Sequence, residues 1–403
     1  MPFAALGLSP ELVRAVADEG YTEPTPIQRE TIPLALVGRD VVGSAQTGTG
    51  KTAAFVLPIL QRLAKKPGNK LRALILVPTR ELAEQVLERV QAYGRHLKLT
   101  AAAIYGGVGF DPQNKALTRG VNIIVATPGR LLDHMGRGHL DYSALEVLVL
   151  DEADRMLDMG FAPDVTRILD ALPQERQTMF FSATISSDVD RLARRALQGH
   201  AAVDIGRRAQ PADGIEHGII AVDKLRKREA LAGILKLNMV GRALVFTRTK
   251  YGADKLVRYL KQSGIPASAL HGDKAQSARQ RTLDDFRSGA VKTLVATDIA
   301  ARGIDVDDMD LVVNFDVPTD PEVYVHRVGR TARAGAAGLA LTLMSADEWL
   351  LVADIEKLVG RTFPREILPG LEPAVAPPPP RDTTPAVPRP ERSVRSRGGM
   401  RRR

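Results

Sequence analysis

There is no cysteine among the 403 residues, so disulfides and thiolate metal sites are excluded. The seven histidines include no His-Glu-x-x-His arrangement, which argues against a catalytic zinc centre. No apolar run approaches the ~20 residues that a membrane-spanning helix needs. The start, Met1-Pro2-Phe3-Ala4-Ala5-Leu6, lacks the basic residues of a secretory leader and meets Glu11 early. Aromatic residues are scarce, at 4% of the chain with one Trp. These absences predict a soluble, cytoplasmic protein without a membrane partner.

What is present is charge, unevenly placed. The chain carries a net +9, of which residues 381–403 hold +6, as eight Arg against Asp382 and Glu391. A basic tail of this kind attracts polyanions, nucleic acid above all, and it competes with a reading in which the tail only solubilises. From 367 to 403, nine of 37 residues are proline and large apolar residues are few. The expectation there is a disordered Pro/Arg-rich tail.

Two short segments carry the chemistry. Ala45-Gln46-Thr47-Gly48-Thr49-Gly50-Lys51-Thr52 has the form of a phosphate-binding loop, apart from Ala at a position where the strict pattern has Gly. Its small residues let backbone N–H groups close on phosphate oxygens, Lys51 reaches the terminal phosphates, and the Thr52 hydroxyl can ligate Mg²⁺. Asp151-Glu152-Ala153-Asp154 follows the apolar run Val147-Leu148-Val149-Leu150, so its carboxylates emerge at a strand's C-terminal end. There Asp151 is suited to holding Mg²⁺ largely through water, and Glu152 to orienting or deprotonating an attacking water. A Gly-rich turn before an ordinary helix, with a solvated acidic turn elsewhere, is the plainer alternative. The two segments together predict binding and hydrolysis of a nucleoside triphosphate.

Apolar runs at Leu74-Ile75-Leu76-Val77, Ile123-Ile124-Val125-Ala126, Val147 to Leu150 and Met179-Phe180-Phe181 read as strands covered on both faces. Helical patterns lie between them, such as residues 81–92, so a parallel sheet wrapped by helices is expected. The pattern repeats. Val77-Pro78-Thr79-Arg80 resembles Phe246-Thr247-Arg248, and Val125-Ala126-Thr127 resembles Val295-Ala296-Thr297, with intervals of 48 residues (Thr79 to Thr127) and 50 (Thr247 to Thr297). Two copies of one α/β unit follow, the first at 1–206, a linker at 207–214 and the second at 215–366. Near the end of the second copy, Arg327, Arg330 and Arg333 recur every third residue. They read either as a basic helical face or as arginine fingers closing on a phosphoryl group bound by the first copy.

The string of motifs resembles the DEAD-box RNA helicases. Those carrying the likeness are Gly20-Tyr21-Thr22-Glu23-Pro24-Thr25-Pro26-Ile27-Gln28, the loop 45–52, Pro78-Thr79-Arg80-Glu81-Leu82-Ala83, Thr127-Pro128-Gly129-Arg130, Asp151 to Asp154, Ser182-Ala183-Thr184, Asp298, Arg302-Gly303-Ile304-Asp305, and His326 to Arg333. The resemblance extends from about Phe3 to Pro364, and Arg155-Met156-Leu157-Asp158-Met159-Gly160-Phe161 together with Ala296 to Asp305 makes it most similar to the bacterial RhlE type. It implies two tandem RecA-like domains forming an RNA-dependent ATPase that clamps RNA and locally unwinds short duplexes or remodels RNA–protein complexes. It further implies that Gln28 reads adenine, Tyr21 stacks on the base and Phe3 braces that pocket, while Asp305 binds ribose. By the same likeness Asp154, Ser182, Thr184 and His326 couple the ATP site to closure, and Arg330 and Arg333 are the fingers.

RNA contacts would come from Pro78, Thr79, Arg80, Gly107, Thr127 and Arg130, and from Gln276, Arg279 and Thr297. With no aromatic stripe across these positions, recognition should be largely independent of sequence. Ala332 departs from the Gly usual in the family, a change that matters only if its φ is positive. The implied ligands are ATP, Mg²⁺ and RNA, single-stranded or as short duplexes, in a protein expected to be monomeric. Ribosomal precursors or RNA-decay machinery could engage the tail. An ATP-gated clamp that does not unwind, and an assembly factor docked by its tail, are the rival readings.

Overall fold

The computed structural model describes residues 2–44, 49–66, 68–184, 186–197, 199–204, 214–237, 241–301, 309–331 and 338–379. Ala45, Gln46, Thr47, Gly48, Asp305, Ala332, Arg333, almost all of the linker and the chain from 380 onward lie outside the described residues.

The first sheet comprises β1 (Val41–Ser44), β2 (Ala73–Leu76), β3 (Ala101–Ile104), β4 (Ile123–Ala126), β5 (Val147–Leu150), β6 (Gln177–Ser182) and β7 (Ala201–Asp204). The second comprises β8 (Ile215–Ala221), β9 (Ala243–Phe246), β10 (Ala267–Leu270), β11 (Thr293–Ala296), β12 (Leu311–Asn314), β13 (Gly338–Met344) and β14 (Arg365–Glu366). Their spatial orders are β3-β4-β2-β5-β6-β1-β7 and β10-β11-β9-β12-β13-β8-β14. Adding seven to each strand of the first order reproduces the second, and the pairings are parallel in both. The repeat predicted from two pairs of strand motifs thus extends through all seven strands.

Alternation along each strand divides the first domain's core in two. Ile75, Val125, Val147, Val149, Met179 and Phe181 join the helices of one face, and Leu74, Leu76, Ile124, Leu148, Leu150 and Phe180 those of the other. Because both faces are covered, the strands read as unbroken apolar runs. All strands being parallel, their C-terminal ends share one edge, and the functional loops leave from it.

The copies differ where phosphate chemistry is expected. The helix after β1 begins with Lys51 (Lys51–Ala64), and the helix after β8 begins with Lys227 (Lys227–Lys236). Lys51 stands beside Asp151, the residue after β5. Lys227 donates to the carbonyl of Phe315, the residue after β12, at 3.0 Å, and pairs with Glu348 at 2.5 Å.

One expectation is corrected at the C-terminus. Residues 367–379, read from composition as part of the disordered tail, lie against the second domain. Leu368 and Leu371 pack on its core, Arg226 donates to the Gly370 carbonyl at 2.6 Å, and Ala374 N–H donates to Asp223 at 3.1 Å. The few apolar residues suffice because a preformed surface receives them. Among the described residues no helix is long and apolar enough to cross a membrane.

Candidate active site

The site lies where the two strand-end edges meet. Lys51, Glu152, Asp154, Arg155, Asp158 and Ala183 of the first domain line one cleft with Val325, His326, Gly329 and Arg330 of the second. The second-domain residues come from the helix Pro321–Val328 and the turn after it. That helix starts with Pro321 after Asp320, whose carboxylate accepts from Glu322 N–H at 2.9 Å.

On the first-domain side, Asp151 leaves β5 almost fully buried and accepts from Glu152 N–H at 3.0 Å. Glu152 is the only non-glycine among the described residues with a positive φ (φ 53°, ψ 50°). This left-handed turn is strained for a side-chain-bearing residue and is typical of a position fixed by function. Burial, with the neighbouring Glu152 and Asp154 adding to it and Lys51 opposing, pushes the Asp151 carboxyl up to about 6. Among the described residues no three acidic or imidazole groups converge to hold a metal alone. The buried Asp151 carboxylate nevertheless fits a divalent ion that takes its remaining ligands from phosphate and water.

Asp154 is wired to the end of β6. Its Oδ2 accepts from the backbone of Ala183 (3.1 Å) and Thr184 (3.0 Å) and from the Thr184 hydroxyl (3.1 Å), while its own N–H donates to Ser182 Oγ at 3.3 Å. The structure therefore joins Asp154, Ser182 and Thr184 in one network.

At the nucleobase end, Phe3 is buried in the core and Tyr21 is exposed, with its ring centroid 6.4 Å from that of Tyr93. Gln28 is more committed than expected. Its Oε1 accepts from Thr25 N–H at 2.9 Å as half of a capping box, and its Nε2 donates to the Gly50 carbonyl at 3.0 Å. Gly50 has φ +92°, and a Cβ there would lie 2.4 Å from Gln28 Nε2, so this contact requires glycine. Thr49 and Thr52 flank it at the start of the Lys51 helix.

The residues expected to touch RNA divide into two groups. Pro78, Thr79, Arg80, Gly107, Thr127 and Thr297 sit at or beside equivalent strand ends. Arg80 lies so close over Gly107 (φ +83°) that a Cβ there would come within 1.9 Å of its Nη1. The side chains of Arg130, Gln276 and Arg279 are spent inside the protein instead. Arg130 donates to the Val108 carbonyl at 3.0 and 3.1 Å, with its guanidinium 4.1 Å from the Phe110 ring centre. Gln276 and Arg279 cross the cleft to Glu81, at 3.2 and 2.9 Å.

The three-residue arginine spacing is also resolved by geometry. Arg327 turns into its own domain, pairing with Asp298 at 2.6 and 2.8 Å and donating to Asn314 Oδ1 and the Asp316 carbonyl. It is an internal brace, whereas Arg330 lines the cleft. Sequence reasoning missed Glu81 as the partner of the second domain and Arg155 as the partner of Glu152. The first pair is 198 residues apart in the chain and left no local signal. The second was an ordinary i,i+3 spacing whose meaning depends on the Glu152 backbone.

Comparison with known proteins agrees with this geometry. Residues 25–192 match the DEAD/DEAH box helicase family, and residues 226–335 match the helicase conserved C-terminal domain. The chain is 42% identical over 373 residues to the DEAD-box ATP-dependent RNA helicase CshA of Geobacillus kaustophilus, covering 93% of this chain and 80% of that one. Its structure is similar to S. cerevisiae Dbp5 bound to RNA and ADP BeF3 (TM-score 0.83, 34% identity, 91% and 95% covered). Against a variant of the same yeast protein bound to Nup159, Gle1, IP6 and ADP the TM-score is 0.65, at 32% identity with 90% and 96% covered.

Proposed function

The chain belongs to the DEAD-box helicase family, and from that membership we propose how its residues divide the work. It is an ATP-dependent RNA helicase, coupling ATP binding and hydrolysis to RNA clamping and to local, largely sequence-independent unwinding or remodelling. The observation that carries this reading is the shared cleft, in which Lys51 and Glu152 face His326 and Arg330 from the other domain.

In this proposal Tyr21 stacks on adenine and Phe3 supports it from the core. Gln28 meets the base edge with its remaining hydrogen-bonding capacity while tying the adenine loop to Gly50. Residues 45–50 and Lys51 cradle the phosphates, Asp305 takes the ribose, and Thr52 and Asp151 hold Mg²⁺, which neutralises phosphate charge when bound. Glu152 orients the attacking water. Arg330, with Arg333, stabilises charge on the transferring phosphoryl group, an effect worth roughly 10³–10⁵ in rate. The Asp154–Ser182–Thr184 network and His326 sense whether the second domain is in place. Arg80, Gly107, Pro78, Thr79, Thr127 and Thr297 grip the RNA backbone. Arg130 supports the grip by holding the loop at Val108, and Gln276 and Arg279 do so by closing onto Glu81.

Within the family we assign the RhlE type on residues 155–161. The domain limits 1–206 and 215–366, a monomeric state and a cytoplasmic setting belong to the same proposal, as does a tail that reaches ribosomal precursors or RNA-decay machinery. The decisive experiment is steady-state ATPase activity without nucleic acid, with single-stranded RNA and with matched DNA, beside Glu152→Gln. Stimulation by RNA alone, lost in the variant, is expected. Equal stimulation by DNA would overturn the RNA assignment.

A further inference from the structure

Arg155 is given no role in the cycle proposed above, yet it touches both domains. It sits in the first turn of the short helix Ala153–Asp158, and its Nη1 pairs with Oε2 of Glu152. Both side chains are nearly buried, 9% and 8% exposed. Beyond this pair Arg155 enters a narrow pocket whose other walls all come from the second domain: Phe246, Asp298, Ala301, Val323, His326, Arg327 and Arg330. Asp298 is already engaged by Arg327, so that wall offers Arg155 no free carboxylate. Arg330 brings a further guanidinium to the same wall.

The electrostatic consequence depends on closure. When the domains are apart, an arginine at a helix surface can keep its charge in water. When the second domain arrives, Arg155 loses that water against Phe246, Ala301 and Val323, with the Arg330 guanidinium beside them. A guanidinium cannot shed its proton, so it needs an anion, and Glu152 is the carboxylate it pairs with. The pairing takes one oxygen of Glu152. Glu152 has little freedom to compensate, because its left-handed backbone fixes the direction in which the side chain leaves.

We propose that Arg155 is a positioning residue, which the second domain presses onto Glu152 so that the carboxylate is aligned only in the closed state. This rests on the ATPase reading above and deepens it: closure would deliver Arg330 to the phosphoryl group and, through Arg155, aim the residue that orients water.

The test uses the full chain with Arg155→Gln and Arg155→Lys. Four quantities are measured: kcat and KM for ATP at saturating RNA, RNA retention with ADP–beryllium fluoride as a readout of closure, and the melting temperature. A misaligned group costs roughly 10- to 100-fold in rate. The expected result is that Arg155→Gln loses kcat by that factor, with KM for ATP within about threefold of wild type and RNA retention intact. Arg155→Lys should recover part of the lost kcat. The proposal is overturned if Arg155→Gln turns over like wild type. It is equally overturned if kcat, RNA retention and melting temperature fall together and Lys restores none of them, since Arg155 would then only support the fold. A wild-type chain with no RNA-stimulated activity would sink the ATPase reading itself, an outcome distinguishable from either.

Discussion

At the scale of single residues, Arg327 and Arg330 show how little a spacing says about direction. Three positions apart near one helix end, they have opposite duties. Arg327 is 3% exposed at its side chain and serves Asp298, Asn314 and the Asp316 carbonyl, so Arg327→Ala leaves buried acceptors and a carboxylate without a cation. Losing one partner of a buried pair costs about 3–5 kcal/mol, and the second domain should melt at a lower temperature. Arg330→Ala should leave the melting temperature close to that of wild type. It should instead lower RNA-stimulated kcat by roughly 10³–10⁵. Calorimetry and ATPase assays on the two variants check this, and equal melting losses would show that Arg330 is also a structural brace.

At the scale of elements, the docked segment 367–379 divides the C-terminus into two parts with separable roles. Removing 381–403 should leave the melting temperature unchanged while flattening the salt dependence of RNA binding by about 0.7 log units for every RNA phosphate that the tail neutralises. Removing 367–403 also strips Leu368 and Leu371 from the core and should destabilise the second domain, by about 1–3 kcal/mol if one such side chain's burial is lost. Thermal melts and RNA titrations at several salt concentrations separate these effects. Identical melts for the two truncations would mean that the segment contributes nothing to the fold.

Strands β2, β4, β5 and β6 were legible because parallel strands buried on both faces are written as continuous apolar runs, as in Val147 to Leu150. The short strands β3 and β10, built from Ala101–Ile104 and Ala267–Leu270, carry mostly small side chains and gave no such signal. The docked segment was hidden for a related reason. Composition records how many apolar residues a segment has, not whether a surface is waiting for them. In the site, the phosphate loop and the acidic motif were legible because their chemistry is local. The inward turn of Arg327 and the reach of Arg279 depend on long-range packing.

At the scale of the whole molecule, Glu81 acts as a clasp. It is buried in the first domain and receives Gln276 and Arg279 from the second, so these interactions exist only when the cleft is closed. A buried pair adds little to net stability but makes closure specific. Glu81→Gln is expected to weaken RNA binding by roughly tenfold in the presence of an ATP analogue and hardly at all without nucleotide, within the usual range of coupling energies. ATP affinity should fall by the same factor with RNA and not at all without it. Equal weakening of RNA binding with and without nucleotide would place Glu81 in the RNA grip and not in the clasp.

The coincidence of the two strand orders also bears on the division of labour. A chain folded twice over the same seven-strand plan has two equivalent helix starts, one in each domain. Lys227 stands at the head of its helix as Lys51 does. Glu348 and a main-chain carbonyl take up its charge. At the second start a resident carboxylate already holds the lysine, so no phosphate is needed to neutralise it. That difference gives the pair a polarity: one lobe receives the fuel, and the other, relieved of that task, is left to reach across and judge it.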